Sequence, residues 1–87
     1  MDKLKLRQAI VVEGKYDQNT LRQIVDTAIF TTNGFTGMKD PALLRLLQKA
    51  AQTTGLVILT DSDGAGFLIR NTLKSALPET GVLHAYI

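Results

Sequence analysis

The stretch GLVILTDSDGAG, residues 55–66, runs four apolar residues together from Leu56 to Leu59 and follows them at once with Asp61, Asp63, Gly64 and Gly66. A short continuous apolar run bounded by turn formers reads as a strand covered on both faces. Two carboxylates one residue apart repel each other, and a fold gains no stability by crowding them where a buried strand runs out. The pattern therefore points to something positive held at that strand end. A second stretch repeats the arrangement: AIVV, residues 9–12, is another short apolar run, and it ends on Glu13 and Gly14.

Working outward from these two runs, the periodicity alternates between strand and helix. After Ala9–Val12 the chain turns, and Leu21, Ile24 and Val25 have helical spacing, which predicts a first helix from about Asp17 or Gln18 to about Val25. AIFTT, residues 28–32, reads as a second strand, and NGFTG after it supplies turn formers in Asn33-Gly34 and Gly37. Asp40 is a good N-cap and Pro41 suits the first helical position. Leu43, Leu44, Leu46, Leu47, Ala50 and Ala51 give that second helix an apolar stripe, and Gly55 ends it. Ala65, Leu68, Ile69, Thr72, Leu73 and Ala76 form one face of a third helix that stops before Pro78, and VLHAYI, residues 82–87, is a fourth strand.

The order β-α-β-α-β-α-β predicts an α/β fold: a four-stranded, mainly parallel sheet flanked by three helices. Each crossover must return the chain to the same end of the sheet, so both acidic motifs fall at the carboxyl ends of strands. That edge is where open α/β sheets bind ligands. With the first and third strands as neighbours, Glu13 comes close to Asp61 and Asp63. The 87 residues form a single domain, 1–87. The sequence shows no repeat, linker or low-complexity segment, and it stops inside a strand, as expected of a fragment or one domain of a longer protein.

Composition narrows the class. Apolar residues make up 45% of the chain and charged residues 21%, which excludes a disordered segment. The absence of cysteine excludes a disulfide framework and a thiolate metal site, and fits a cytoplasmic location. No apolar run approaches the roughly 20 residues of a membrane span, so no membrane association is expected. The net charge is only +2, but its distribution says more. With Glu13, Asp17, Asp61 and Asp63 set aside, ten basic residues face only Asp2, Asp26, Asp40 and Glu79. A cation on the acidic cluster would leave a positive surface suited to a polyanion such as nucleic acid; a mildly basic solvated surface is the plain alternative.

Three carboxylates on one sheet edge make a hard oxygen site of the kind Mg²⁺ takes, with one or two protein carboxylates, water and substrate phosphate completing its shell. Mn²⁺ can replace it. Gly64 and Gly66 let the backbone turn into the third helix and admit a phosphate near its N-terminus, and Gly14 serves likewise after Glu13. Arg70 and Lys74, four apart, read as phosphate contacts on the polar face of the third helix. Each residue also has a plain structural reading: Asp63 as N-cap of the third helix, Asp17 as N-cap of the first, Glu13 as the ion-pair partner of Lys15 or of a distant Arg, and the pair Arg70 and Lys74 as a solvated face. His84 reads as a partly exposed structural residue and Phe35 as a loop anchor or a stacking platform for a base. Tyr16 reads as a packing or loop-contact residue.

Two known motifs begin in the same way and fail. An EF-hand loop starts Asp-x-Asp, but its fifth position here is Ala65 and its twelfth is Thr72, not Glu. A haloacid-dehalogenase-type phosphatase opens with Asp-x-Asp-Gly, but DSDGAGF lacks the following Thr and little chain remains for its other motifs.

IVVEGKYD, residues 10–17, together with VILTDSDGAG, residues 57–66, resembles the TOPRIM domain, a Rossmann-like module shared by primases, type IA and II topoisomerases and several nucleases. Within it, VVEGKYD, NGF and HAYI most resemble small TOPRIM proteins akin to the bacterial ribonuclease that matures 5S ribosomal RNA. The resemblance implies that Glu13 acts as general acid or base near the metal, that Asp61 and Asp63 bind Mg²⁺, and that Gly14 and Gly66 are the turn glycines. Lys15, as a phosphate contact, and Asp17, in a supporting place, match the EGKxD variant. Many members carry Glu after the last glycine, where this chain has Phe67. The topoisomerase tyrosine has no counterpart among Tyr16 and Tyr86.

Two readings stay open on sequence grounds. The first is an enzyme for Mg²⁺-assisted phosphodiester chemistry, an RNA-processing nuclease with RNA favoured over DNA. The second is a non-catalytic module that binds nucleic acid, a protein partner or an additional domain, or a primase-like TOPRIM domain.

Overall fold

A computed structural model of the chain describes residues 2–32, 40–60 and 64–86. Asp61, Ser62, Asp63, Phe35 and the turn formers Asn33, Gly34 and Gly37 lie outside the described residues, as do the side chains of Phe67 and Tyr86.

The described residues form β1 (Leu4–Lys5), β2 (Ala9–Val12), α1 (Lys15–Arg22), β3 (Val25–Asp26), β4 (Ile29–Thr31), α2 (Pro41–Gln52), β5 (Leu56–Thr60), α3 (Gly64–Ala76) and β6 (Val82–Tyr86). The main sheet has four strands in the order β4-β2-β5-β6, every pair parallel. The α/β fold expected from the alternating pattern is the one formed.

Strict alternation along the central strands builds the two faces. Ala9 and Val11 of β2, with Leu56 and Ile58 of β5, pack against Leu47 and Ala51 of α2 and against Ile69 and Leu73 of α3. Ile10 and Val12 point the other way, where Leu21 of α1 and Val57 and Leu59 of β5 join them. All four β2 residues are buried, which explains why that strand reads as an unbroken apolar run. Each fully buried Leu or Ile in this core stabilises the fold by about 1.5–3 kcal/mol.

Helix boundaries follow local chemistry. The Asp40 Oδ1 accepts the Ala42 N–H at 3.0 Å and Pro41 opens α2, as the sequence predicts. Gly55 adopts φ +92° just beyond α2 and turns the chain into β5. The first helix departs from expectation: it starts two or three residues earlier, at Lys15, with Gly14 rather than Asp17 at the N-cap, and stops at Arg22. Ile24 and Val25, counted as helical by their spacing, leave the helix, since two β-branched residues in succession favour an extended chain. The Leu4 N–H bonds to the Ile24 carbonyl at 2.9 Å, and β3 pairs with β1 in a small parallel ladder that periodicity over two residues does not reveal.

The third helix is rotated from its expected face. Ile69, Arg70 and Leu73 are buried, while Leu68 is 52% exposed and Thr72 is exposed. The sequence reading assigned Arg70 to the solvated face because it is charged; its burial turns the helix and moves Leu68 outward. No helix among the described residues is long and apolar enough to cross a membrane.

Candidate active site

The sheet order fixes where a ligand can sit. From β2 the chain passes through α1 to β4 on one side; from β5 it passes through α3 to β6 on the other. Connections that leave two neighbouring parallel strands in opposite directions open a crevice at their carboxyl ends, the usual ligand position in open α/β sheets. In this chain that crevice lies between β2 and β5.

Glu13 follows the last residue of β2, and its side chain is half-buried at this edge. The register Ala9↔Leu56, Ile10↔Val57, Val11↔Ile58 carries the end of β2 alongside the end of β5, where Thr60 is the last residue. Asp61 is next in sequence to Thr60.

Both strand ends are held by side chains. The main-chain carbonyl of Glu13 accepts hydrogen bonds from Thr31 Oγ1 at 3.1 Å and Thr32 Oγ1 at 3.3 Å, and the Thr32 N–H donates to the Val12 carbonyl at 3.1 Å. Since Thr32 is fully buried, this anchor is not exchanged for solvent. On the other strand, Thr60 Oγ1 accepts from Arg70 Nη2 at 2.8 Å. The same guanidinium donates from Nη2 to the Ala85 carbonyl at 2.6 Å and meets His84 Nδ1 from Nη1 at 2.8 Å. A guanidinium only donates, so Nδ1 accepts and the His84 proton sits on Nε2.

The remaining sequence candidates fall around this edge. Gly14 caps α1 with φ −136°, an extended conformation open to any residue, and a Cβ added there would meet nothing within 4 Å. Its turn role is thus not imposed by backbone sterics; what it leaves is open space beside Glu13. Lys15, exposed, is the first residue of α1, and Asp17 lies within the first turn, where a carboxylate suits the positive end of the helix dipole. Tyr16 is 83% exposed and does not pack in the core. With Asp17, Thr20, Leu21 and Leu59 it lines a cavity of about 220 Å³ on the α1 side. Gly64 opens α3 and Gly66 is buried in its first turn. Arg70 is only 6% exposed, and its guanidinium turns toward the sheet rather than outward as a surface phosphate contact would. Lys74 is exposed, as are Lys3, Lys5, Arg7, Lys15, Arg22, Arg45 and Lys49, and so are the acids Asp2, Asp26, Asp40 and Glu79.

Among the described residues no three His, Cys, Asp or Glu side chains form a metal cluster. Glu13 at the end of β2, and the Asp61 and Asp63 that follow Thr60 in the sequence, are oxygen donors of the kind a hard cation takes.

Sequence reasoning missed the three threonines and the inward role of Arg70. The signal available was Thr at the carboxyl end of two strands, Thr31-Thr32 and Thr60, each next to or paired with an acidic motif.

His84 gives a pH-dependent element. Burial, then the charges of Arg70 and Lys74, hold its imidazole below its ordinary value. The fold thus favours neutral His84, so its stabilising contribution is complete above the unfolded value of about 6.5 and is lost as pH falls through the lowered folded value. Melting temperature should fall between about pH 7.5 and about pH 5, and His84→Asn, which keeps an acceptor near the Nδ1 position, should shrink that fall.

The chain thus combines a parallel α/β sheet, a glutamate at the end of one central strand and an Asp-x-Asp sequence after that strand's neighbour. Residues 8–87 match the Toprim domain, and the chain belongs to that family. Among curated relatives, Ribonuclease M5 of Borreliella burgdorferi is 38% identical over 84 residues, covering 95% of this chain and 45% of that protein. Ribonuclease M5 of Fusobacterium nucleatum is 39% identical over 85 residues, covering 98% and 45%, and that of Bacillus subtilis is 36% identical over 84 residues, covering 97% and 43%. The chain therefore spans less than half the length of these relatives.

Proposed function

We propose that this domain is the metal-binding, catalytic part of an RNA-processing nuclease, with Glu13, Asp61 and Asp63 holding Mg²⁺ or Mn²⁺. The observation that carries this reading is the parallel pairing of β2 with β5 at the switch point, which puts the end of the strand before Glu13 beside the end of the strand before Asp61. The similarity to Ribonuclease M5 favours RNA over DNA.

Bound Mg²⁺ would stabilise the negative charge that develops on the phosphoryl oxygens. Glu13, half-buried at the same edge, would hold or release a proton at its carboxylate. Lys15 and the first-turn amides of α1, with the space left open at Gly14, would receive a phosphate beside it. Exposed basic residues around the domain would draw in the polyanion and make its binding salt-dependent.

The test uses the full-length protein and structured RNA. Cleavage should require Mg²⁺ or Mn²⁺, stop on addition of EDTA, and exceed cleavage of DNA of the same sequence. Salt-sensitive RNA binding without cleavage, unchanged by EDTA, would overturn the reading in favour of a non-catalytic binding module.

A further inference from the structure

The Arg70 guanidinium reaches across the sheet from α3 to groups at the carboxyl ends of two adjacent strands. It bonds Thr60, the last residue of β5, and the Ala85 carbonyl and His84 Nδ1 near the end of β6. Thr60 is 2% exposed and pairs in register with Tyr86. A buried guanidinium loses several kcal/mol of hydration and keeps its place only when well-aligned acceptors replace the water. This one therefore stays where those acceptors stay, and they stay where it does.

We infer that Arg70 is a positioning residue for the proposed metal site: together with the end of β6 it holds Thr60, the last residue of β5 and the one directly before Asp61 in the sequence. This rests on the metal reading above and adds a role to a residue that reads on sequence as a surface phosphate contact. The planar fork of arginine is essential to it. Two nitrogens of one rigid group reach three acceptors on two strands, which the single ammonium of lysine cannot do. The hydroxyl of Thr60 joins this clamp to the residue directly before Asp61. The Glu13 side of the crevice is held in the same manner, by Thr31 and Thr32 on its carbonyl, so each strand end carries its own anchor.

Partners that orient metal ligands from behind typically change metal affinity by about 10–100-fold when removed. The test compares wild type, Thr60→Val, Thr60→Ser and Arg70→Lys by calorimetric titration with Mn²⁺ and by thermal melting. Thr60→Val substitutes a methyl for the hydroxyl at nearly constant volume and leaves Arg70 its bond to Ala85, so the fold is retained even if Arg70→Lys fails to fold. Thr60→Val should weaken Mn²⁺ binding by about tenfold, and Thr60→Ser, which keeps the hydroxyl, should restore it to within about twofold. Arg70→Lys, where folded, should fall with Thr60→Val although its charge is unchanged. Wild-type affinity in Thr60→Val, or an equal loss in Thr60→Ser that simply follows melting temperature, overturns the positioning role while leaving the metal site standing. A wild-type domain that takes up no Mn²⁺ overturns the metal reading and this inference together.

Discussion

Glu13→Gln is expected to reduce metal-dependent RNA cleavage by the full-length protein by at least about a hundredfold, the lower range for loss of a general acid or base. Glutamine keeps the size of the side chain and removes its charge and its proton. The substitution is clean because the anchors on this residue use its main chain: Thr31 and Thr32 bond the Glu13 carbonyl oxygen, not its carboxylate. Melting temperature should thus stay close to wild type while activity falls. Mn²⁺ affinity should fall as well, since one of three carboxylates becomes neutral. Cleavage that survives the substitution at near wild-type rate would remove Glu13 from the chemistry and leave the domain as a binding module.

The largest effect on stability is expected at Gly81, far from the crevice. Gly81 adopts φ +84°, and an added Cβ would run into the main-chain carbonyl of Ala51 at the end of α2. The backbone cannot move aside freely, because the Gly81 carbonyl accepts the Leu56 N–H at 2.8 Å and so ties the turn before β6 to the start of β5. Gly81→Ala combines a left-handed conformation, about 1–2 kcal/mol, with overpacking against backbone, about 1–3 kcal/mol. Against a total of about 4–13 kcal/mol for a chain of this length, that loss unfolds a large share of the molecules or lowers the urea midpoint sharply. Gly14→Ala is the contrasting case: its φ is ordinary and its Cβ meets open space, so stability should barely change. An unchanged urea midpoint for Gly81→Ala would contradict the packing of that turn on α2.

The core strands are readable from the sequence because burial on both faces writes itself as apolar runs, AIVV and LVIL, and the turn chemistry around Asp40-Pro41 and Gly55 marks the second helix. The alternation of elements implies a parallel sheet with its ligand edge at the carboxyl ends of the strands, while the strand order that puts the crevice between β2 and β5 is seen only in the fold. What the sequence conceals has a common cause: contacts distant in the chain override local patterning. Arg70 looks solvent-facing until the acceptors at Thr60, His84 and Ala85 are known, and Leu68 looks buried until Arg70 takes its side of the helix. Val25 fits a helical stripe until Leu4 and Lys5 offer a strand partner. The threonines at the strand ends leave only their position as a signal, since a hydroxyl reaching a carbonyl 18 or 19 residues away leaves no periodic trace that names its partner. Of the candidate site, the Glu13 end of the edge is described and the Asp61 and Asp63 assignments remain part of the proposal.

One measurement tests the central claim most directly: addition of substoichiometric Mn²⁺ to the ¹⁵N-labelled domain, with paramagnetic broadening followed at each backbone amide. The proposed cluster predicts that the amides of Glu13 and Gly14 and those from Thr60 to Gly64 broaden together, that EDTA restores them, and that Gly55 and Gly81, at the opposite edge of the sheet, stay sharp. Broadening at one of the two strand ends without the other, or spread evenly over the surface acids, would contradict a shared cation site between β2 and β5.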